Sequence, residues 1–205
     1  MDSHIPTLLI TTLLLSISPK PVLGGDPDIL TDFIAPPNSP PPNATFFTFS
    51  GFRSLVAAPV PAKFQVVKAT MEQFPALNGQ SVSYAALLYP PASANPVHTH
   101  PRAAELLFLT QGELEVGFVD SANKLYTQTL QAGDMFVFPK GLVHFQYNAD
   151  AQVPAFAVSA FGSAAAGTVS LPNALFNSTV DDTVLALSFK TDVATIQKIK
   201  AGLKG

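Results

Sequence analysis

Short runs of apolar or alternating residues follow one another through the middle of the chain, at 62–68, 81–89, 103–109, 113–119, 124–130, 135–138, 143–147 and 153–160. A period of two over a few residues is the mark of a strand with one face buried. Turn-forming residues separate the runs, as in Thr110-Gln111-Gly112, Asp120-Ser121-Ala122-Asn123, Gln131-Ala132-Gly133 and Asn148-Ala149-Asp150. Many short strands at this spacing predict an all-β domain, either a double-sheet jelly roll or a barrel. The pattern changes after the Gly/Ala-rich link 162–167. Asp181 and Asp182 can cap a helix that runs to about Phe189. Thr191 and Asp192 can start a second one, with Val193, Ile196, Ile199 and Leu203 toward one face.

The first apolar run differs from the rest. Residues 5–17 are broken only by proline and hydroxyl residues, and about 13 residues is short of the roughly 20 that cross a bilayer. The length suits the core of a secretory leader, with Gly24 and Gly25 as the small residues of a cleavage region. Asp2 in place of a basic residue weakens the leader's start, and a buried strand or helix is the alternative. No later stretch reaches spanning length free of charge or turn signals, so no membrane span is expected.

Composition fits one compact domain with a large core: 47% of the 205 residues are hydrophobic and 12% charged. Net charge is −3 without a basic cluster, so neither nucleic acid nor an anionic membrane surface is an expected partner. Nineteen prolines favour turns over a helical bundle. The chain has no cysteine, unusual for a small secreted domain.

The chemistry concentrates in two segments. In Asn95-Pro96-Val97-His98-Thr99-His100-Pro101-Arg102-Ala103-Ala104-Glu105, a His-x-His pair on a strand sends both imidazoles to one face, and a carboxylate follows five residues on. The second segment, 133–148, carries His144. His4 falls in the leader, so every histidine beyond it lies in these two segments. Three imidazoles and one carboxylate suit an octahedral manganese or iron ion at least as well as tetrahedral zinc.

Both segments resemble the paired motifs of the cupin superfamily, and specifically the plant germin and germin-like branch. The first family motif reads Gly, five residues, His-x-His, three or four residues, Glu, six residues, Gly. His98, His100, Glu105 and Gly112 fill it, with Ala92 in place of the leading Gly. The second reads Gly, five residues, Pro-x-Gly, two residues, His, three residues, Asn. Gly133, Pro139, Gly141, His144 and Asn148 fill it completely.

The resemblance implies a single jelly-roll barrel over 61–171, after a Pro-rich extension over 25–60 and a leader over 1–24. A helical region over 172–205 follows. It implies manganese, held by His98, His100, Glu105 and His144. It also implies a homo-oligomer, a hexamer built as a trimer of dimers, in which the helical arm clasps a neighbour. Without the resemblance, that apolar helical face would be expected to fold back on its own barrel.

Germins share an N-terminal Cys pair, and Ile34 stands where the first would fall, which marks a Cys-lacking subgroup. The run 36–43 stiffens this loop instead through its prolines. Asn95 matches an Asn that helps bind substrate in germins. Asn148 either joins it or holds its hairpin by a local hydrogen bond. Arg102 reads as a surface or interface residue. A second substrate-binding Asn of germins, ten residues ahead, is replaced by Ala85, which predicts a poor oxalate oxidase.

Asn43-Ala44-Thr45 and Asn177-Ser178-Thr179 fit the N-glycosylation pattern. With the leader and the germin resemblance, they predict a secreted, apoplastic glycoprotein of a plant. Two functional classes follow. One is a redox enzyme acting on superoxide or another small molecule. The other is a wall-associated structural or receptor-like protein whose metal stabilises the barrel. Fold alone cannot separate them.

Overall fold

The structure, a computed structural model, describes residues 26–204; the leader expected over 1–24 lies outside the described residues. Ten strands are present: β1 (Gln65–Ala69), β2 (Ser83–Tyr89), β3 (Ser93–Thr99), β4 (Glu105–Gln111), β5 (Glu113–Val119), β6 (Leu125–Gln131), β7 (Met135–Phe138), β8 (Val143–Asn148), β9 (Ala155–Phe161) and β10 (Val169–Ser170). Helices α1 (Leu171–Phe176), α2 (Asp182–Phe189) and α3 (Val193–Gly202) follow. The strands form two five-stranded antiparallel sheets, ordered β1-β2-β9-β4-β7 and β10-β3-β8-β5-β6. This is the double-sheet jelly roll expected from the sequence.

Alternation within each strand decides what faces inward. In β4, Glu105, Leu107 and Leu109 are buried while Leu106 and Phe108 are exposed. Cross-strand register then builds layers. Leu87, Ala157 and Leu109 form one layer, Ala85, Ser159 and Leu107 the next, and Ser83, Phe161 and Glu105 the last. The interior therefore runs from an apolar end, filled by Leu109, Leu114, Val116 and Leu130, to a polar end. The two sheets are joined at Gly112, between β4 and β5, in a left-handed conformation (φ 81°). A Cβ there would sit 2.6 Å from the carbonyl oxygen of Pro154, so glycine is required on both counts.

Most strand edges lie within a few residues of the expected ones. β4 runs two residues past its expected end because Gln111 still pairs with Phe156 across a register shift, though Thr110-Gln111 reads as turn. α1 had no sequence signal. It is one and a half turns with Pro172 in its first turn. In α2 and α3 the expected caps are present: Asp181 accepts from the amides of Thr183 and Val184, and Asp192 from that of Thr195. Their shared core is Leu185, Ala186 and Ile196. Of the expected face on α3 only Ile196 is fully buried; Val193, Ile199 and Leu203 stay partly exposed.

On the outer face of the first sheet, Leu106 pairs with Val137 and Phe108 with Met135, all exposed. The N-terminal extension lies against the domain without a disulfide. The Asp26 carboxylate accepts from the Ser163 hydroxyl and the Ala164 amide, Gln80 donates to the Asp32 carbonyl at 3.0 Å, and Phe49 stacks on Phe74 at 5.5 Å.

Candidate metal centre

The polar end of the barrel brings together side chains from four stretches. His98 lies near the end of β3 and His100 just past it. Glu105 opens β4, and His144 is the second residue of β8, directly across from His98. All four are buried, and one ligand atom from each lies within 4.8 Å of the others. This group is able to hold a metal ion.

Each imidazole is oriented by a carbonyl. Nδ1 of His98 meets the Pro96 oxygen at 2.7 Å, that of His144 the Leu142 oxygen at 2.8 Å, and that of His100 the Gly167 oxygen. A carbonyl only accepts, so each Nδ1 carries a proton and donates it, which leaves Nε2 as the nitrogen free to face a metal. The rings are held from behind as well. Phe138 stacks on His144 at 4.5 Å, and Phe161 meets His100 edge-on at 4.8 Å.

Two of these Nε2 atoms converge on a carboxylate. Glu105 Oε2 lies 2.9 Å from Nε2 of His100 and 3.2 Å from Nε2 of His144. Without a metal a proton on Nε2 can bridge either ring to the carboxylate; a divalent cation takes the place of such protons, and this donor set fits one. Burial would raise the Glu105 pKa, but hydrogen bonds with His100, His144 and Ser159 outweigh it and bring it to about 2. Burial, then repulsion from His144, lowers that of His98 to about 4. Both groups are thus in their metal-binding forms at neutral pH.

Three residues behind the ligands escaped the sequence reading. Ser159, fully buried on β9, donates to Glu105 Oε1 at 2.6 Å. Gln146, also buried, reaches the same oxygen with Nε2 at 3.4 Å. Its own Oε1 accepts from Asn95 at 2.6 Å and from the Tyr89 hydroxyl at 3.4 Å. Burial, then the Glu105 charge, raises the Tyr89 pKa well above its ordinary value of 10.0, so the phenol stays a donor. The signal for Gln146 was present: alternation in β8 puts residues 144, 146 and 148 on one face.

Arg102, read as a surface or interface residue, fastens a loop. Its amide donates to the Ala166 carbonyl at 3.2 Å and its Nε to that of Ala165. The guanidinium lies so close to Gly167 that a Cβ there would be 2.6 Å from it. That loop carries the carbonyl that orients His100. Asn95 is half-buried at the edge of a cavity of about 360 Å³ that opens over His98, His100 and Glu105. Asn148 lies away from it: its amide donates to the carbonyls of Tyr89, Pro90 and Val153, and its oxygen accepts from the Asp150 amide. Ala85 lines the cavity. Asn43 and Asn177 are exposed.

Two apposed antiparallel sheets, with a cradle of three histidines and one glutamate at an open end, define a cupin-type barrel. The Cupin family model matches residues 60–197. The chain is 62% identical over 203 residues to germin-like protein 9-3 of Oryza sativa subsp. japonica, covering 96% of this chain and 94% of that one. It is 45% identical over 167 residues to nectarin-1 of Nicotiana plumbaginifolia, covering 78% and 72%. A solved oxalate oxidase is 31% identical with a TM-score of 0.76, covering 86% of this chain and 97% of that chain. The chain belongs to the cupin family and, within it, to the germin-like proteins, in a form without cysteine. Among the described residues, no helix is long and apolar enough to cross a membrane.

Proposed function

We propose that this chain is a secreted, manganese-binding germin-like cupin of the plant apoplast, redox-active in the manner of a superoxide dismutase and serving defence or cell-wall metabolism. The observation that carries this reading is the convergence of three Nε2 lone pairs and the Glu105 carboxylate at the floor of an open cavity. His98, His100, Glu105 and His144 would hold the ion. Ligand type alone does not select manganese over iron or zinc; the germin resemblance does. Bound there, manganese supplies a one-electron couple. The carbonyls of Pro96, Leu142 and Gly167 keep the imidazoles aimed, and Ser159 and Gln146 hold Glu105 by its other oxygen.

Two features support a homo-oligomer, a hexamer in this reading. The outer sheet face around Phe108 and Val137 is apolar and exposed, as are Val184, Leu187 and Phe189 on the helical arm. The exposed Asn43 and Asn177 are proposed to carry glycans. The substrate is small, and the chain is a poor oxalate oxidase despite its oxalate oxidase neighbour. Ala85 offers no amide where germins place one, which removes about 1.5–3 kcal/mol of charge-assisted hydrogen bonding. Hydrogen peroxide release from oxalate at a germin-like rate would refute that.

Metal analysis of the protein purified from its secreting tissue comes first. Superoxide decay is then compared between the loaded protein and a His144→Ala control. A faster rate in the unsubstituted protein is expected. Equal rates would remove the enzyme and leave a wall-associated structural or receptor-like protein.

A further inference from the structure

The cavity above His98, His100 and Glu105 is too large for superoxide alone. About 360 Å³ is within the range of sites that enclose small organic molecules. Its wall is apolar: Val66, Met71, Leu87 and Phe161 all line it, with Ala85 between them. On β1 the register sets Val66 opposite Leu87 and Lys68 opposite Ala85, so Lys68 rises from the same inner face as this wall.

Lys68 has no countercharge. Among the described residues no carboxylate lies within 4.0 Å of its ammonium, although Glu72 also lines the mouth. Its single polar contact is a long one, 3.4 Å to the Thr168 hydroxyl. Thr168 directly follows Gly167, so the Lys68 side chain reaches across the mouth toward the loop that orients His100. Arg102, the other cation there, is committed to that loop through its bond to Ala165. Ala85, opposite Lys68 across the strand pair, lines the same cavity.

We propose that Lys68 is the anion-binding residue of a substrate subsite, and that this subsite takes a benzoate-sized organic monocarboxylate. The carboxylate pairs with the Lys68 ammonium, and the apolar body lies along Val66, Met71 and Leu87 above the ligands. This deepens the redox reading, on which any turnover of the bound acid rests. Binding itself needs only the cavity and the cation.

The test uses 4-fluorobenzoate and its neutral isostere 4-fluorobenzamide, with fluorine NMR line width followed as protein is titrated. Metal content is measured on the same samples. Saturable binding of the benzoate is expected, with the benzamide weaker by about tenfold because it lacks the charge-assisted pair. Lys68→Met should cost a similar factor, while Lys68→Arg should keep the affinity within about threefold. Equal binding of the two probes, no saturable binding, or undiminished benzoate binding by Lys68→Met would overturn the subsite. If Lys68→Met fails to fold, the two-probe comparison on the unsubstituted chain still decides. Protein without manganese that shows charge-dependent binding would sink the metal reading and keep the subsite. Manganese-loaded protein without it would do the reverse.

Discussion

The hydroxyl of Ser159 offers a sharp test of how the metal centre is built. Ser159→Ala removes one buried oxygen atom and nothing else, so the barrel wall keeps its shape between Ala85 and Leu107. What is lost is the 2.6 Å hydrogen bond to Glu105 Oε1. That oxygen would then retain only the Gln146 amide at 3.4 Å, which is at the limit of a hydrogen bond. A buried hydrogen bond to a charged group contributes about 1.5–3 kcal/mol. At about 1.4 kcal/mol per decade, metal affinity should fall roughly ten- to a hundredfold. The Ser159 bond is also one of the causes that lower the Glu105 pKa, so protons should compete with metal from a higher pH in the variant. The assay is competition against a coloured chelator at neutral pH, with thermal melts in excess chelator alongside. Affinities equal within about twofold would refute the argument. A lower melting point with unchanged affinity would mean that Ser159 serves only the wall.

Further outcomes follow from other residues. His98→Ala should lower metal content and melting temperature together, because a metal bound only by the folded chain adds stability by mass action; full occupancy with an unchanged melt would remove His98 from the ligand set. In chelator, stability should fall on acidification. The folded chain refuses the His98 proton down to about pH 4 while the unfolded chain takes it near the ordinary 6.5, so this contribution is complete above 6.5 and lost by about 4. Loss through Glu105 follows between its ordinary 4.5 and about 2; a melting temperature that stays flat from pH 6.5 to 4 would contradict the His98 assignment. Asn148→Ala should cost about 2–3 kcal/mol in denaturant titrations with unchanged metal affinity, since three carbonyls lose one donor group. Ala92 replaces the family's leading Gly yet keeps a left-handed φ of 53°, so Ala92→Gly should stabilise by about 0.5–1 kcal/mol in the same titration.

Period-two alternation marked most strands, and the His98–His100 spacing placed two imidazoles on one face from the sequence alone. What stayed hidden depends on register between strands far apart in sequence. Ser159 reads as one more small residue in an alanine-rich strand until β9 is paired with β4, 54 positions away. Arg102 is exposed, as read, but its fastening of the loop stayed hidden because its partners, Ala165 and Ala166, lie in a Gly/Ala-rich link that looks like a spacer. Asn148 completes the second motif, but its side-chain bonds fasten the backbone around it. α1 escaped for a different reason. At six residues it is too short to have a readable period, and its packing beside α3 supplies the stability that propensity lacks.

The way the N-terminal extension is attached has a consequence for the environment proposed for this protein. Germins close this region with sulfur; here a carboxylate on a hydroxyl and an amide, with a stacked aromatic pair, holds it. Such a fastening contains no thiol to be scrambled, glutathionylated or burned to a sulfonic acid by the peroxide that the proposed redox activity would release. Reducing agents leave it equally untouched, so dithiothreitol should not shift the melting curve. A chain that works beside its own oxidant would thus keep its shape across the full swing of wall redox conditions.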